Sequence, residues 1–252
     1  MSRRRVVLPA GSLGPFEGRE PGARLSLPAS VVAHLRVLRL TDGVELEVTD
    51  GEGRVATGAL RVQGRRLEVD LGPVTRAPTP RPPEIRLLQG VGKGEKLDQV
   101  VRQVAELGAT AVHPVLTERA VARREHKLER LRGIADDALR VSGRAHRMAV
   151  TAPAPLDAAL EAVDRPGTLR VVLDGRGAEP LASALAGEVP SAVALLVGPE
   201  GGLSPEERAR ALERGFRSAH LGPHTLRTET AGPAVVAMVR FRYGLGPGPS
   251  SG

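Results

Sequence analysis

The chain contains no cysteine, which excludes a disulfide framework, a thiolate zinc site, an iron–sulfur cluster and a cysteine nucleophile. It also lacks tryptophan, and aromatic residues make up only 2% of its 252 residues, so its core must be built from leucine, valine and alanine. No run of about 18 apolar residues occurs, and the start Met-Ser-Arg-Arg-Arg leads into a short apolar stretch rather than a secretion signal. These absences predict a soluble, cytoplasmic protein without a membrane partner.

Lysine is almost absent as well, since only Lys93, Lys96 and Lys127 are lysines among 36 basic residues. The net charge is +7, and the excess is local, because residues 76–150 hold 15 basic against 9 acidic residues. Guanidinium groups bind phosphate oxygens in a bidentate way, which favours a surface that faces nucleic acid. A general preference for arginine over lysine explains the same numbers, so both interpretations stay open.

The first part of the chain, residues 1–72, is typical of a small β domain. Alternating apolar and polar residues predict three strands, at 44–48, 54–62 and 66–71. Helical spacing between Pro28 and Leu40 predicts one helix, with Ser30 as its cap. Five prolines make residues 73–83 the best candidate for a linker, since proline cannot donate to a β ladder.

Residues 84–244 change to an alternation of strands and helices. Short apolar runs predict strands at 85–89, 111–116, 169–174, 192–197 and 218–221. Helical spacing predicts helices at about 97–107, 125–141, 181–186, 205–214 and 234–243. This alternation indicates a mostly parallel sheet covered by helices on both faces. Residues 245–252, rich in glycine, proline and serine, are expected to form a disordered tail.

A glycine-rich segment, Gly90-Val-Gly-Lys-Gly-Glu-Lys96, follows the first of these strands. It lacks the third glycine of a dinucleotide fingerprint, where Glu95 stands, and it lacks the Gly-Lys-Ser/Thr of a P-loop. A basic loop at a helix start can hold an RNA phosphate, and it can equally be a flexible turn. The sequence leaves these two interpretations open.

A second glycine-rich segment, Gly198-Pro-Glu-Gly-Gly202, also follows a predicted strand. Ser204 and Glu207 have the spacing of a capping box, and Pro205 suits the first helical position, so the next helix has a defined start. The carboxyl ends of parallel strands line ligand crevices, and glycines let the backbone approach a flat ligand closely. We therefore expect a ligand-binding loop here.

The segment Leu221-Gly-Pro-His-Thr-Leu-Arg-Thr-Glu-Thr-Ala231 follows the last predicted strand. Thr228 or Thr230 is expected to cap the final helix, with Glu229 favourable to the helix dipole. A cation near a helix N-terminus is misplaced unless it meets an anion. Arg227 is therefore the candidate functional residue of this segment.

Taken together, the segments Gly198–Gly202 and Leu221–Ala231 resemble the small-subunit (16S) ribosomal RNA uridine-N3 methyltransferases, RsmE type, of the SPOUT class. The similarity extends over nearly the whole chain through Lys93–Lys96, Glu106–Gly108, Pro114, Thr117–Arg119 and His34–Arg39. It implies an α/β protein in which an N-terminal PUA-like β-barrel domain for RNA precedes an α/β SPOUT domain with a C-terminal trefoil knot. It also implies a homodimer.

The resemblance assigns roles to individual residues as well. It implies S-adenosylmethionine as the cofactor, bound by Leu173, Val197, Gly198, Pro199, Glu200, Gly201, Gly202, Leu221, Gly222, Leu226 and Thr228. It implies 16S ribosomal RNA in the small subunit as the partner, contacted by Arg39, Lys93, Lys96 and Arg119. Arg227 and Arg144 are the candidate catalytic residues, since a guanidinium can stabilise negative charge that develops on a uracil. No base is assigned, and methyl transfer from a sulfonium requires no metal.

Two segments depart from the family pattern. Residues 140–142 are Arg-Val-Ser, where the family usually has Glu-Gln-x before Gly143 and Arg144, and any role of the missing pair in orienting the target base is in doubt. Gly232-Pro233 replace good helix formers, so the final helix is expected to begin late, at about Ala234.

Two other functions stay open. A non-catalytic RNA-binding ribosome assembly factor would use the basic surface and need no cofactor. A nucleotide-dependent enzyme would use Gly90–Gly94 for phosphates, although the missing Lys-Ser/Thr weakens it. Binding of S-adenosylmethionine discriminates against the first, and binding of ATP or NAD would support the second.

Overall fold

The structure, a computed structural model, describes residues 4–119, 128–175 and 178–245. The chain divides into two units: Met1–Pro80 with Leu139–Arg147, and Arg81–Ala138 with Met148–Gly252. Residues 125–127 of the predicted basic helix lie outside the described residues, as do residues 246–252 of the predicted tail. No helix in the described ranges is long and apolar enough to cross a membrane.

The first unit is a sheet of six strands with one helix. Its elements are β1 (Arg4–Val7), β2 (Ala23–Ser26), α1 (Ala29–Val37), β3 (Glu45–Thr49), β4 (Arg54–Gln63), β5 (Arg66–Leu71) and β6 (Thr75–Arg76), with a 3-10 turn at Gly14–Phe16. The strand order is β1-β3-β4-β5-β2, and β6 pairs with β4. Only the β1–β3 pair is parallel among these described strands. The three strands that the alternation predicted are confirmed within a residue or two.

The cap predicted for α1 is wrong. Its N-cap is Pro28, in an extended conformation, and no side chain caps the helix. Ser30 lies one residue inside the helix, because the chain leaves β2 at Ser26 and the fixed φ of proline sets the entry to the first turn.

Residues 139–147 pack in the first unit although the prediction places them in the range 84–244. The Arg147 guanidinium donates to the carbonyls of Asp50 at 2.9 Å and Leu8 at 3.0 Å. The Gly53 N–H donates to the Ala145 carbonyl at 2.9 Å. These bonds join positions that are distant in sequence, so no local pattern predicts them.

The second unit is built on a parallel sheet of eight strands. The strands are β7 (Glu84–Gly90), β8 (Ala111–Leu116), β9 (Ala149–Val150), β10 (Ala154–Pro155), β11 (Thr168–Leu173), β12 (Glu179–Pro180), β13 (Ala192–Val197) and β14 (Arg217–His220). The helices are α2 (Lys96–Glu106), α3 (Leu128–Ser142), α4 (Leu156–Ala162), α5 (Leu181–Ala184), α6 (Pro205–Glu213) and α7 (Thr228–Arg242). The last four residues of α3 belong to the first unit. The order is β10-β8-β7-β13-β11-β14-β12, and β9 pairs with β8.

Both faces of this sheet are covered, as predicted. In β13, Val193 and Leu195 pack into the core cluster that includes α2, α3 and α7. Ala194 and Leu196 point to the other face, into a cluster with α4 and α6. All six residues of β13 are buried, which places this strand at the centre of the unit.

The prediction for the last helix is wrong, because α7 begins at Thr228 and contains Pro233. Pro233 has no N–H to donate to the Glu229 carbonyl, which removes one helical bond. The first turn is held nevertheless, since the N–H groups of Thr230 and Ala231 donate to the Arg227 carbonyl at 2.9 and 2.8 Å. The buried Thr228 adds an anchor from its side chain, so tertiary contacts override the local preference.

Candidate functional site

The carboxyl ends of β7, β13, β11 and β14 meet at one edge of the parallel sheet, because these strands are neighbours with a common direction. Each of the two glycine-rich segments and the segment 221–227 begins at this edge. Ligand crevices in parallel sheets form at such edges. The candidate site is therefore the group of loops that follow these strands.

The loop Gly198–Gly202 leaves the buried end of β13 at Val197 and turns back on itself. The Gly202 N–H donates to the Pro199 carbonyl at 2.9 Å, and Gly202 has a φ of +67°, which favours glycine. A Cβ on Gly198 would lie 3.0 Å from the Leu203 nitrogen, so the turn is closed too tightly for a side chain there. These backbone contacts define the turn within the loop.

The helix after this loop begins as predicted. Ser204 accepts from the Glu207 N–H at 3.2 Å, and the Glu207 carboxylate accepts from the Ser204 N–H at 2.9 Å. The other carboxylate oxygen of Glu207 accepts from the Glu118 N–H at 2.9 Å, and this bond connects α6 to the segment after β8. The predicted capping box and the proline at the first helical position are confirmed.

Thr228 joins three parts of the site. Its hydroxyl donates to the Gly198 carbonyl at 2.6 Å and accepts from the Gln89 side-chain amide at 2.8 Å. The prediction that Thr228 or Thr230 caps α7 is wrong, because Arg227 is the N-cap and no side chain caps the helix. The single hydroxyl hydrogen of Thr228 goes to the glycine loop instead.

The segment 221–227 connects β14 to α7. Leu221 and Gly222 are half-buried, Gly222 has a φ of +135°, and its N–H donates to His220 Nδ1 at 3.1 Å. Leu226 is an exposed apolar side chain, with 39% of its surface accessible. Arg227 is also exposed, and no described residue pairs with its guanidinium.

Glu200 points back towards the segment after β7 rather than outward. Its carboxylate accepts from the Lys93 N–H at 3.0 Å and from Lys96 Nζ at 2.9 Å. Partial burial raises the pKa of Glu200, but the Lys96 ammonium and backbone N–H groups outweigh it, and the pKa lies below its usual value. The bond to Glu200 raises the pKa of Lys96.

The glycines after β7 fit against the loop Gly198–Gly202. A Cβ on Gly90 would lie 2.5 Å from the Pro199 nitrogen, and one on Gly92 would lie 2.9 Å from the Glu200 carboxylate. These two glycines therefore serve close packing between two loops. Their positions explain a glycine pattern that matches no phosphate-binding motif.

Arg119 holds the same loop from another side. Its guanidinium donates to the Gly201 carbonyl at 3.0 Å, and a Cβ on Gly201 would lie 3.2 Å from the Arg119 Cβ. Leu173, the last residue of β11, is half-buried at the sheet edge, and Asp174 beside it pairs with Arg208 of α6.

The remaining predicted site residues lie elsewhere. Arg144 belongs to the first unit, where its carbonyl accepts from the Arg5 guanidinium at 2.5 Å. Arg39 is exposed in the same unit, after α1, with a φ of +50°. Lys93 is exposed and contributes only its backbone N–H to the contacts above.

Sequence reasoning missed Gln89, whose amide reaches Thr228 across 139 positions. The sequence offered one signal for Gln89, because this residue is polar and lies near the end of the mostly apolar run that forms β7. It also missed that Glu200 pairs with Lys96, although their opposite charges stand in neighbouring loops. Within the described residues, no three His, Asp or Glu side chains gather as a metal site.

Comparisons with known proteins show which family this chain resembles. A family model described as an RNA methyltransferase domain matches residues 79–240. Two curated relatives, both named ribosomal RNA small subunit methyltransferase E, are each 32% identical to this chain. The alignment with the Synechocystis protein covers 81% of this chain and 68% of the relative. The alignment with the Aquifex aeolicus protein covers 86% and 94%.

Solved structures are similar over nearly the whole chain. The ribosomal RNA small subunit methyltransferase E from Neisseria gonorrhoeae, bound to S-adenosylmethionine, has a TM-score of 0.84 and 29% identity, covering 95% of this chain and 98% of that one. A methyltransferase from Legionella pneumophila, also with bound S-adenosylmethionine, has a TM-score of 0.85 and 27% identity, covering 96% and 98%. Because the family model spans most of the chain and the relatives align with both of its units, the chain belongs to the RNA methyltransferase family.

Proposed function

We propose that this protein transfers a methyl group from S-adenosylmethionine to N3 of a uridine in 16S ribosomal RNA, within the small subunit and in the cytoplasm. The names of its relatives support the cofactor and the RNA. The observation that carries the proposal is the bond between Thr228 and Gly198, which brings the start of α7 against the loop Gly198–Gly202. Arg227 directly precedes Thr228 in the sequence, and its guanidinium pairs with no described side chain.

The residues at the sheet edge suit S-adenosylmethionine. A nucleoside that carries a sulfonium group needs apolar walls for its flat base and backbone groups for its polar edges. Leu173, Leu221 and Leu226 offer apolar surface, and the glycines of both loops leave the backbone uncovered. We propose that these loops, with Val197, Pro199 and Thr228, form the cofactor site.

The chemistry assigned to the chain is electrostatic. The bound cofactor supplies a methyl group that is already activated by the adjacent sulfonium. N3 of uracil must lose its proton as the N3–carbon bond forms and the carbon–sulfur bond breaks. A guanidinium placed near the uracil oxygens stabilises the negative charge that develops as the proton leaves. We propose Arg227 for this role, with Arg144 as a second candidate, and the N3 proton passes to water or to a side-chain base.

Of the four residues expected to contact RNA, Arg39 and Lys93 have exposed side chains. No described side chain pairs with either, so both charges are available to phosphate oxygens. Arg119 donates to the loop Gly198–Gly202, and we propose that it supports this loop as well as facing the RNA.

We also propose the finer fold that the family implies. The connection from β11 to β12 must pass β14, which lies between these two strands. The connection from β14 to α7 must return past β11, because α7 packs on α2, β7 and β13. Both connections leave the carboxyl edge of the sheet, where ordinary folds avoid such crossings. This supports a trefoil knot. We propose a PUA-like domain over residues 1–72, joined through 73–83 to a SPOUT domain over 84–244. The predicted β-barrel is not closed among the described strands, because β1 and β2 end the sheet without pairing with each other.

A homodimer is proposed from the surface of α7. Met238 and Phe241 are 42% and 91% exposed and lie three residues apart, on one face of the helix. Exposed large apolar side chains grouped in this way mark interaction surfaces. A second copy of the chain is the partner that the family implies.

The test is methyl transfer from labelled S-adenosylmethionine to small ribosomal subunits that lack the modification, followed by nucleoside analysis. We expect label in N3-methyluridine. Arg227→Ala should lower kcat by about 10²- to 10³-fold, the usual cost of removing one donor that stabilises developing charge. Arg102→Ala, which removes an exposed arginine from α2, should leave the rate unchanged.

Label at another nucleoside would contradict the proposed specificity. Cofactor binding without any transfer would direct attention to the departure at residues 140–142. A protein that binds RNA but not S-adenosylmethionine would be an assembly factor instead.

A further inference from the structure

Lys96 lies between two carboxylates at the start of α2. Its Nζ is 2.9 Å from Glu200 Oε1 and 3.5 Å from Glu229 Oε2. The Glu229 oxygen is buried and has no hydrogen-bond partner among the described residues, so the nearby ammonium is its compensating charge. The Lys96 ammonium therefore compensates the charges of two carboxylates, Glu200 and Glu229, from different parts of the chain.

The local charge argues against a role for Lys96 in phosphate binding. The formal sum over Lys96, Glu200 and Glu229 is minus one, so two carboxylates already compensate the charge of the Lys96 ammonium. Lys93 differs, although it lies only three residues away. Its side chain is exposed, and only its backbone N–H reaches Glu200.

The direction of Glu200 is fixed by shape as well as by charge. Its carboxylate occupies the space that a side chain at position 92 would need, since a Cβ on Gly92 would lie 2.9 Å from either oxygen. Gly90 gives Pro199 the same close approach. The segment Gly90–Lys96 thus packs closely against the loop Gly198–Gly202, and Lys96 forms an ion pair with Glu200 of that loop.

We infer that Lys96 is a positioning residue, which holds the loop Gly198–Gly202 in its binding shape through Glu200, and is not a contact for RNA. Its consequence for the cofactor rests on the proposed function. Its structural part does not, because it depends only on contacts between residues of this chain.

The first experiment measures amide hydrogen exchange in the protein without cofactor. Lys96→Met should speed exchange at the Lys93 amide and in residues 198–203 by about tenfold, because the carboxylate that fixes them loses its cation. Glu200→Gln should have a similar effect while it leaves Lys96 paired with Glu229, so it remains informative if Lys96→Met folds poorly. Lys93→Met is the matched control and should leave the exchange rates unchanged.

The second experiment measures two affinities on the same variants. Lys96→Met should raise the Kd for S-adenosylmethionine by about tenfold, equivalent to about 1.4 kcal/mol. It should leave the salt dependence of RNA binding unchanged. Lys93→Met should do the opposite, with an unchanged cofactor Kd and a salt slope reduced by about 0.7 to 0.9.

The inference is overturned if exchange in residues 198–203 is the same in Lys96→Met and the wild type, or if Lys96→Met reduces the salt slope as Lys93→Met does. If the wild type binds no S-adenosylmethionine, the proposed function fails, and the exchange rates still decide whether Lys96 holds the loop.

Discussion

At the scale of single residues, Thr228 shows how one hydroxyl can organise a site. A threonine at a helix start ordinarily caps its own helix, but this one donates to Gly198 and accepts from Gln89. Because its only hydrogen is used on the Gly198 carbonyl, the bond from Gln89 must come from the amide nitrogen. The orientation of the Gln89 amide is thereby determined.

Replacing Thr228 with valine keeps its volume and removes both bonds. The Gly198 carbonyl would then lose this donor, and the buried Gln89 amide would keep only its longer bond to the Gly90 carbonyl at 3.3 Å, at a cost of about 1 to 3 kcal/mol. We expect Thr228→Val to lower the free energy of unfolding by this amount, measured by urea denaturation.

Thr230→Val is the control for this change, since Thr230 is exposed two residues further along the same helix. It should alter the free energy of unfolding by less than about 0.5 kcal/mol. Equal effects of the two variants would show that the Thr228 bonds add nothing beyond helix propensity.

At the scale of elements, α7 carries a glycine and a proline where a helix usually avoids both. Gly232 lies against the end of β7, and a Cβ there would be 2.6 Å from Gln89 Oε1 and 3.3 Å from a Leu87 methyl. The glycine permits the close approach of helix and strand that brings Gln89 to Thr228. Its low helix propensity is thus offset by packing.

Two glycines inside helices should respond to alanine in opposite ways. Gly232→Ala should destabilise the protein by about 1 to 3 kcal/mol, because the new methyl overpacks a buried contact. Gly133→Ala, in α3, should stabilise it by about 0.5 to 1 kcal/mol, since a Cβ there meets nothing within 4 Å. Thermal or urea unfolding of both variants checks the difference in sign.

At the scale of the whole molecule, α7 has two different faces, because one face is buried against the sheet and the other exposes Met238 and Phe241. If that outer face joins two copies, a charge within it should prevent association, since an unpaired carboxylate is costly to bury. We expect Phe241→Asp to convert a dimer to a monomer in sedimentation equilibrium.

Val37→Asp is the matched control, because Val37 is 80% exposed on α1 of the first unit. This variant should keep the oligomeric state of the wild type. A wild-type protein that sediments as a monomer, or a Phe241→Asp variant that remains dimeric, would contradict the proposed role of α7.

The sequence predicted features that depend on interactions between nearby residues, and it did not predict features that depend on contacts between distant residues. The start of α6 was predictable because Ser204, Pro205 and Glu207 determine it within four residues. The start of α7 was not, because Pro233 argued locally for a late start while contacts with Gly198 and Gln89 fixed an early one. The segments after β7, β13 and β14 follow their strands as predicted, but the sequence did not predict the pairing of Lys96 with Glu200.

The sequence by itself determined the alternation of strands and helices, the buried strand before the loop Gly198–Gly202, and the glycines that this loop requires. These features depend on periodicity and on backbone geometry within a few residues. Only the tertiary structure decided that Thr228 bonds across the site, that Glu200 turns inward to Lys96, and that residues 139–147 join the first unit. Each of these is a contact between segments far apart along the chain, and only the packed sheet and its helices bring such segments within bonding distance.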